Sequence, residues 1–224
     1  MIKFIKKNLN FIYVATVYLL IFLQYPASIA ISRLVLHQSV EANIQPGYLL
    51  IWGLTRVLIV IPLLFTLLTR DEVKHEDLFL SFGDYKKVIS ITFWGTFAFT
   101  LTGIVLYPWF INETTLTALR FLEYVPIFLL YAVTNAFIEE TFFRGISFHF
   151  LTEKTRFWIA NIIQSVFFAL IHIVNPMTSN PWLFVALTFF LGLGWGFLTK
   201  KYKSLVPAIA LHVIADVFVA ISLF

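Results

Sequence analysis

The sequence predicts an all-α fold, a polytopic membrane bundle of about seven transmembrane helices, and three observations carry that reading. Hydrophobic residues make up 60% of the chain and charged residues only 12%, against about a quarter charged in an ordinary soluble domain. Apolar stretches near the ~20 residues that a bilayer requires recur from end to end. The cations, finally, gather on one side of those stretches.

The spans are expected at roughly 11–34, 48–69, 88–110, 121–152, 157–175, 182–199 and 204–224. Gln45-Pro46-Gly47, Asn175-Pro176 and Asn180-Pro181 are the turn signals between them. Lys3, Lys6 and Lys7 before the run from Phe11 look like the start of a signal peptide. The run continues to Ala30, however, long enough to span, and is read as an uncleaved first helix. Residues 1–224 are expected to form a single membrane domain, with residues 1–120 giving the amino-terminal helices and a polar loop at 70–87 lying along the cytoplasmic surface. Placing the amino terminus in the cytoplasm puts Lys3, Lys6, Lys7, Arg70, Lys74, Lys86, Lys87, Lys154, Arg156, Lys200, Lys201 and Lys203 inside, leaving Arg33 and Arg120 in outside loops. That asymmetry is what the positive-inside rule demands. The absence of cysteine removes disulfides, thiolate zinc sites and cysteine nucleophiles together.

Inside these greasy stretches sit residues that cost several kcal/mol to bury in hydrocarbon and so tend to face polar cavities and carry function. They form three groups: Glu139-Glu140 with Arg144, Phe168 with His172, and His212 with Asp216. Glu139 and Glu140 point about 100° apart on a helix and cannot share a task. Glu140 and Arg144 are i, i+4 neighbours that can pair. Glu139 has no partner on its own helix, which leaves its carboxylate available as a general base. His212 and Asp216 are one turn apart, so the carboxylate can orient the ring.

Depth decides how the fourth span must run. If its helix stopped at Glu140, Glu139 and His172 would lie at opposite membrane faces. Continued through Arg144 to about Leu151, it brings both to roughly 20 Å from the inner end. Asp216 and His212 reach a similar level. Arg56, buried in the second span, needs a partner, and Glu123 or a motif carboxylate would serve. Asn135, Asn161 and Gln164 are expected to hydrogen-bond between helices, and Gly192, Gly194 and Gly196 to permit close helix packing.

The order Glu-Glu-x-x-x-Arg, Phe-x-x-x-His, His-x-x-x-Asp on three separate spans resembles the CPBP family (also called Abi), which holds CAAX-processing endoproteases and bacteriocin-processing or self-immunity proteins. The resemblance covers about residues 121–220. It implies an intramembrane glutamate-dependent endopeptidase in which Glu139 and His172 activate a water. His212 and Asp216 would stabilise the oxyanion, and Glu140, Arg144 and Phe168 would support them. An ionised Asp216 would repel an oxyanion where the family's Asn donates to it. Asp216 is therefore either protonated or holds His212 protonated and oriented. No cofactor is required. Zn2+ stays open as an alternative, with Glu139, His172 and His212 as its ligands.

Nothing matches a zincin, a Gly-x-Ser-x-Gly elbow or a Gly-x-Gly-Asp motif. The expected partners are the lipid bilayer and a membrane-associated peptide or protein substrate, with no nucleic acid and the oligomeric state left open. A multi-pass place in a bacterial cytoplasmic membrane suits the composition. The alternative readings are a non-catalytic bacteriocin self-immunity protein and a small transporter.

Overall fold

The computed structural model describes residues 46–62, 65, 76–110, 118–173 and 181–221, together with Leu19, Leu23 and Ala30. Most of the expected first span, the end of the second at 66–69 and residues 70–75 of the polar loop lie outside the described residues. Every regular element among the described residues is helical. They are α1 (Pro46–Thr55), α2 (Tyr85–Phe110), α3 (Ala118–Glu140), α4 (Phe148–Thr152), α5 (Phe157–Leu170), α6 (Pro181–Tyr202) and α7 (Val206–Ile221). A π-helical segment, Arg56–Val60, prolongs α1, and a second, Thr141–Ser147, joins α3 to α4 without a break.

Among the described residues three helices are long and apolar enough to cross a membrane: Tyr85–Val105, Leu122–Thr152 and Pro181–Tyr202. The stretches Leu49–Leu58, Phe157–Leu170 and Val206–Ile221 are apolar but shorter. Along α2 the side chains Ile89, Phe93, Trp94, Phe97, Leu101, Ile104 and Val105 are all exposed. A continuous apolar face of that extent belongs in lipid rather than water. The all-α membrane bundle expected from composition is the fold observed.

Local chemistry explains the helix ends. Prolines open α1 and α6, where the missing N–H costs no hydrogen bond. Asp84 caps α2 by accepting the Lys87 N–H at 3.4 Å. The Lys87 side chain hydrogen-bonds the same carboxylate and holds the Asp84 carboxyl below its ordinary value. Helix α6 stops at Lys203, whose φ of 51° is the left-handed turn that ends many helices.

Two boundaries differ from expectation. The third span starts at Tyr85 rather than Val88, because Asp84 supplies the cap. The fifth ends at Leu170 and not near 175. Residues 171–173 form a turn in which the His172 N–H donates to the Ala169 carbonyl at 3.0 Å. The part of the polar loop before α2 that is described, 76–84, is mostly exposed or half-buried but turns Leu78 into the core beside Phe142, Phe143 and Ile146. The Phe79 carbonyl accepts the Leu205 N–H at 2.9 Å. Burial of the Leu78 side chain outweighs the polarity of its neighbours.

The core divides into two apolar clusters. Leu49, Trp52, Phe128, Tyr131, Ala132 and Ala220 form one, between α1, α3 and α7. The other joins the Thr141–Ser147 segment to Phe168, Trp195, Ala208 and Leu211. Helices α3 and α7 run through both. The residues lying between the two clusters on these helices, Asn135, Glu139, Glu140, His212 and Asp216, are polar and buried.

Candidate active site

Helix α3 delivers Glu139 and Glu140 as its last two residues, immediately before the π segment. The chain continues helically past them to Thr152, as the depth argument requires. Both carboxylates are almost wholly buried, as are Arg56 and Arg144, so each charge must be paired to be tolerated.

The pairing is specific. Arg144 Nη1 donates to Glu140 Oε1 at 2.9 Å within the π segment's first turn. That same oxygen accepts the His212 Nδ1–H from α7 at 2.8 Å. Arg56 Nη2, from the end of α1, donates to Glu139 Oε1 at 3.0 Å. Asn135, one turn before Glu139, donates its Nδ2–H to Asp216 Oδ2 at 2.9 Å. His212 Nε2 lies 3.6 Å from Asp216 Oδ1 and 3.8 Å from Glu139 Oε2. Glu139 Oε2 is buried and has no hydrogen-bond partner among the described residues.

The second motif closes the cluster through its ring. Phe168 is centred 4.8 Å from His172, 5.6 Å from His212 and 6.0 Å from Trp195. The Arg144 guanidinium lies over the Phe168 ring at 4.0 Å. His172 Nδ1–H donates to the Phe168 carbonyl at 2.7 Å, which fixes the tautomer and leaves Nε2 as the acceptor. His172 is only half-buried, at the end of its helix, within electrostatic reach of Glu139, His212 and Asp216. All three sequence motifs therefore meet around one aromatic ring.

Glu139 has no partner on its own helix, as expected, and of the carboxylates open to Arg56 it is this motif carboxylate that pairs with it. Two expectations need correcting. Glu140 is more than architecture: it bonds both Arg144 and His212, so the imidazole Nδ1 is oriented by Glu140 rather than by Asp216. Asp216 faces the other nitrogen, with Asn135 holding its second oxygen. The interhelical roles of Asn161 and Gln164 are as expected. Asn161 donates to the Leu193 carbonyl at 3.0 Å and Gln164 to the Gly192 carbonyl at 3.3 Å, both on α6, while Gln164 also reaches Asn161 Oδ1 and Ser165 Oγ of its own helix at 2.8 Å.

Gly192 and Gly196 lie directly against that polar seam, whereas a Cβ on Gly194 would meet nothing within 4 Å among the described residues, so that glycine is not needed for the close approach. A Cβ on Gly196 would collide with Asn161. Gly196→Ala is thus expected to destabilise by about 1–3 kcal/mol, read as a lowered unfolding temperature in detergent. An unchanged melt would show that α5 and α6 do not meet there.

Trp195 went unnoticed in the sequence. Its indole stacks on His212 at 4.7 Å with ring planes 27° apart, and no spacing in Gly194-Trp195-Gly196 advertises that contact. Asn135 did carry a signal: it stands four residues before Glu139, on the same helical face.

The residues offered for zinc are not assembled as a ligand group. Among the described residues no three His, Asp or Glu side chains form a metal-holding cluster, and the Arg56 cation already occupies Glu139 Oε1. These donors do not fit a metal as they stand.

An ionic layer of carboxylates, guanidinium groups and imidazoles, enclosed in an apolar helical bundle, defines a membrane protein equipped for chemistry in its core. Residues 121–218 match the family described as type II CAAX prenyl endopeptidase Rce1-like. That stretch carries all three motifs and is similar to the CAAX-protease family, consistent with the CPBP resemblance, and the kind of protein this supports is an intramembrane protease. No curated protein and no solved structure gives a significant match.

Proposed function

We propose that the protein is a glutamate-dependent endopeptidase that cleaves a peptide bond of a membrane-associated peptide or protein, from a multi-pass position in a bacterial cytoplasmic membrane with its amino terminus inside. The observation that carries this reading is Glu139 Oε2, a buried carboxylate oxygen beside the His212 imidazole that has no hydrogen-bond partner among the described residues.

A water between Glu139 Oε2 and His172 Nε2 gives its proton to Glu139 as its oxygen attacks the peptide carbonyl. The carbonyl π electrons pass to oxygen, and the developing oxyanion is met by the His212 Nε2–H. Collapse of the tetrahedral intermediate breaks the C–N bond, and Glu139 returns the proton to the leaving amine. Charge balance supports this assignment. With His212 as imidazolium, Arg56, Arg144 and His212 offset Glu139, Glu140 and Asp216, so the buried layer is neutral. Asp216 then acts by holding His212 protonated, while Glu140 orients the ring, which removes the objection to an ionised carboxylate near the oxyanion.

His172→Ala tests the reading. Peptides released by membranes carrying the wild-type chain are compared by mass spectrometry with those from membranes carrying this variant. Loss of release by about 100-fold or more is expected, at an equal amount of inserted protein. Full release would remove His172 from the mechanism.

A further inference from the structure

Among the described residues Arg56 is the one charge of the ionic layer that comes from outside residues 121–218, and the proposed mechanism gives it no part beyond charge balance. Its position is built rather than incidental. Leu49, Trp52, Gly53 and Arg56 lie along one face of the first described helix. That face approaches α3 closely, because a Cβ on Gly53 would already stand 3.4 Å from Leu130 Cγ. Trp52 packs its ring edge-on against Tyr131 of α3 at 6.5 Å. The Arg56 guanidinium lies 5.0 Å from the centre of the Trp52 ring, so the ring limits where it can go. From there Nη2 reaches Glu139 Oε1 at 3.0 Å, with both side chains almost fully buried, 2% and 4% exposed.

A guanidinium serving only to tie helices together would be expected to spend its donors on them. Arg56 does not: among the described residues Nε and Nη1 are buried without a hydrogen-bond partner, and its one ion pair is with the motif glutamate. The helix also changes at this residue, where the π segment Arg56–Val60 begins. Such segments recur at functional sites.

We propose that Arg56 is the positioning residue for Glu139: a cation supplied by an amino-terminal helix, which holds one carboxylate oxygen so that the other is presented to the attacking water. This rests on the peptidase reading above. It follows that the family-matched stretch does not make a complete site by itself. Helix α1 must be docked on α3 for Glu139 to be aimed. Lysine cannot substitute fully, because an ammonium lacks the planar surface that stacks on Trp52 while one nitrogen reaches the carboxylate.

The test uses the full chain in isolated membranes, with released peptides quantified by mass spectrometry. Arg56→Ala is expected to lower release about 100-fold, the usual effect of misplacing a reacting group by an ångström. Added methylguanidinium should recover at least about tenfold of that loss, and should do nothing for Glu139→Ala membranes. A merely structural arginine would show no such rescue. Release within about twofold of wild type in Arg56→Ala, or a loss that methylguanidinium leaves unchanged, overturns the proposal.

Should Arg56→Ala fail to accumulate in the membrane, Arg56→Lys decides. Release at least about tenfold below wild type at equal insertion supports the assignment, and a smaller loss overturns it. Identical release from wild-type and Glu139→Ala membranes is a separate pattern: it removes the peptidase reading and this inference with it.

Discussion

Membranes carrying Glu139→Gln are expected to release none of the peptides that wild-type membranes release, while containing as much of the protein. The substitution keeps the shape of the side chain and an oxygen that accepts from Arg56 Nη2, the contact now made at 3.0 Å. It removes the ability to take a proton from water at Oε2. Losing a positioned general base costs about 100- to 10,000-fold, enough to put processing below detection. Folding should suffer less, although the Arg56 cation is left without its counter-charge and the melting temperature should fall. Glu139→Asp separates geometry from chemistry: the carboxylate survives but is drawn back by one methylene. A loss of about 100-fold is expected there. Processing at wild-type level in Glu139→Gln would show that the carboxylate is not the base.

Arg144→Ala should act on the other side of the ledger, by destroying the fold. Arg144 is completely buried, pairs with Glu140 at 2.9 Å and lies over Phe168 at 4.0 Å. Truncating it strands Glu140 in an apolar surround with only His212 beside it. Breaking one partner out of a buried ion pair costs about 3–5 kcal/mol, a large share of the roughly 5–15 kcal/mol that holds a typical domain together. The protein should accumulate poorly and melt at a much lower temperature in detergent. Arg144→Met with Glu140→Gln, which removes both charges at similar volume, should recover much of the lost stability. It should not recover activity, because the His212 ring then loses the carboxylate that orients it. An Arg144→Ala protein that melts with the wild type would contradict the buried pairing.

Much of this arrangement was legible in the residues. Length and hydropathy give the helices. The demand that Glu139 and His172 meet at one depth gives the continuation of α3 to Thr152, well beyond the second glutamate. What escaped was whatever depends on distance between helices. Arg56 had several carboxylates to choose from, and only the approach of α1 through Gly53 selects Glu139. Glu140 was read with its neighbour four residues on. Nothing in the spacing says that one of its oxygens also reaches across to α7. His172 was placed inside a helix because Ile171, Ile173 and Val174 prolong the apolar pattern, yet the helical hydrogen bonds end at Leu170. The π segments leave no periodic trace, since buried residues line every side of Thr141–Ser147.

That second π segment has a bearing on how the chain tolerates change. Each i→i+5 loop encloses one residue more than an α turn, so deleting any single residue between Thr141 and Ser147 would let the stretch relax to an ordinary α-helix. The wider turns are what take up that residue, so Phe148 and its ring contact with Phe157 would keep their place around the axis. The glutamates upstream would stay where they are. The change would fall inside the segment, where Gly145 would lose its fit beneath the Leu78 carbonyl. This stretch can thus shed a residue without misaligning the helix's inner end, whereas the same deletion in a plain α-helix would turn everything beyond it by about 100°.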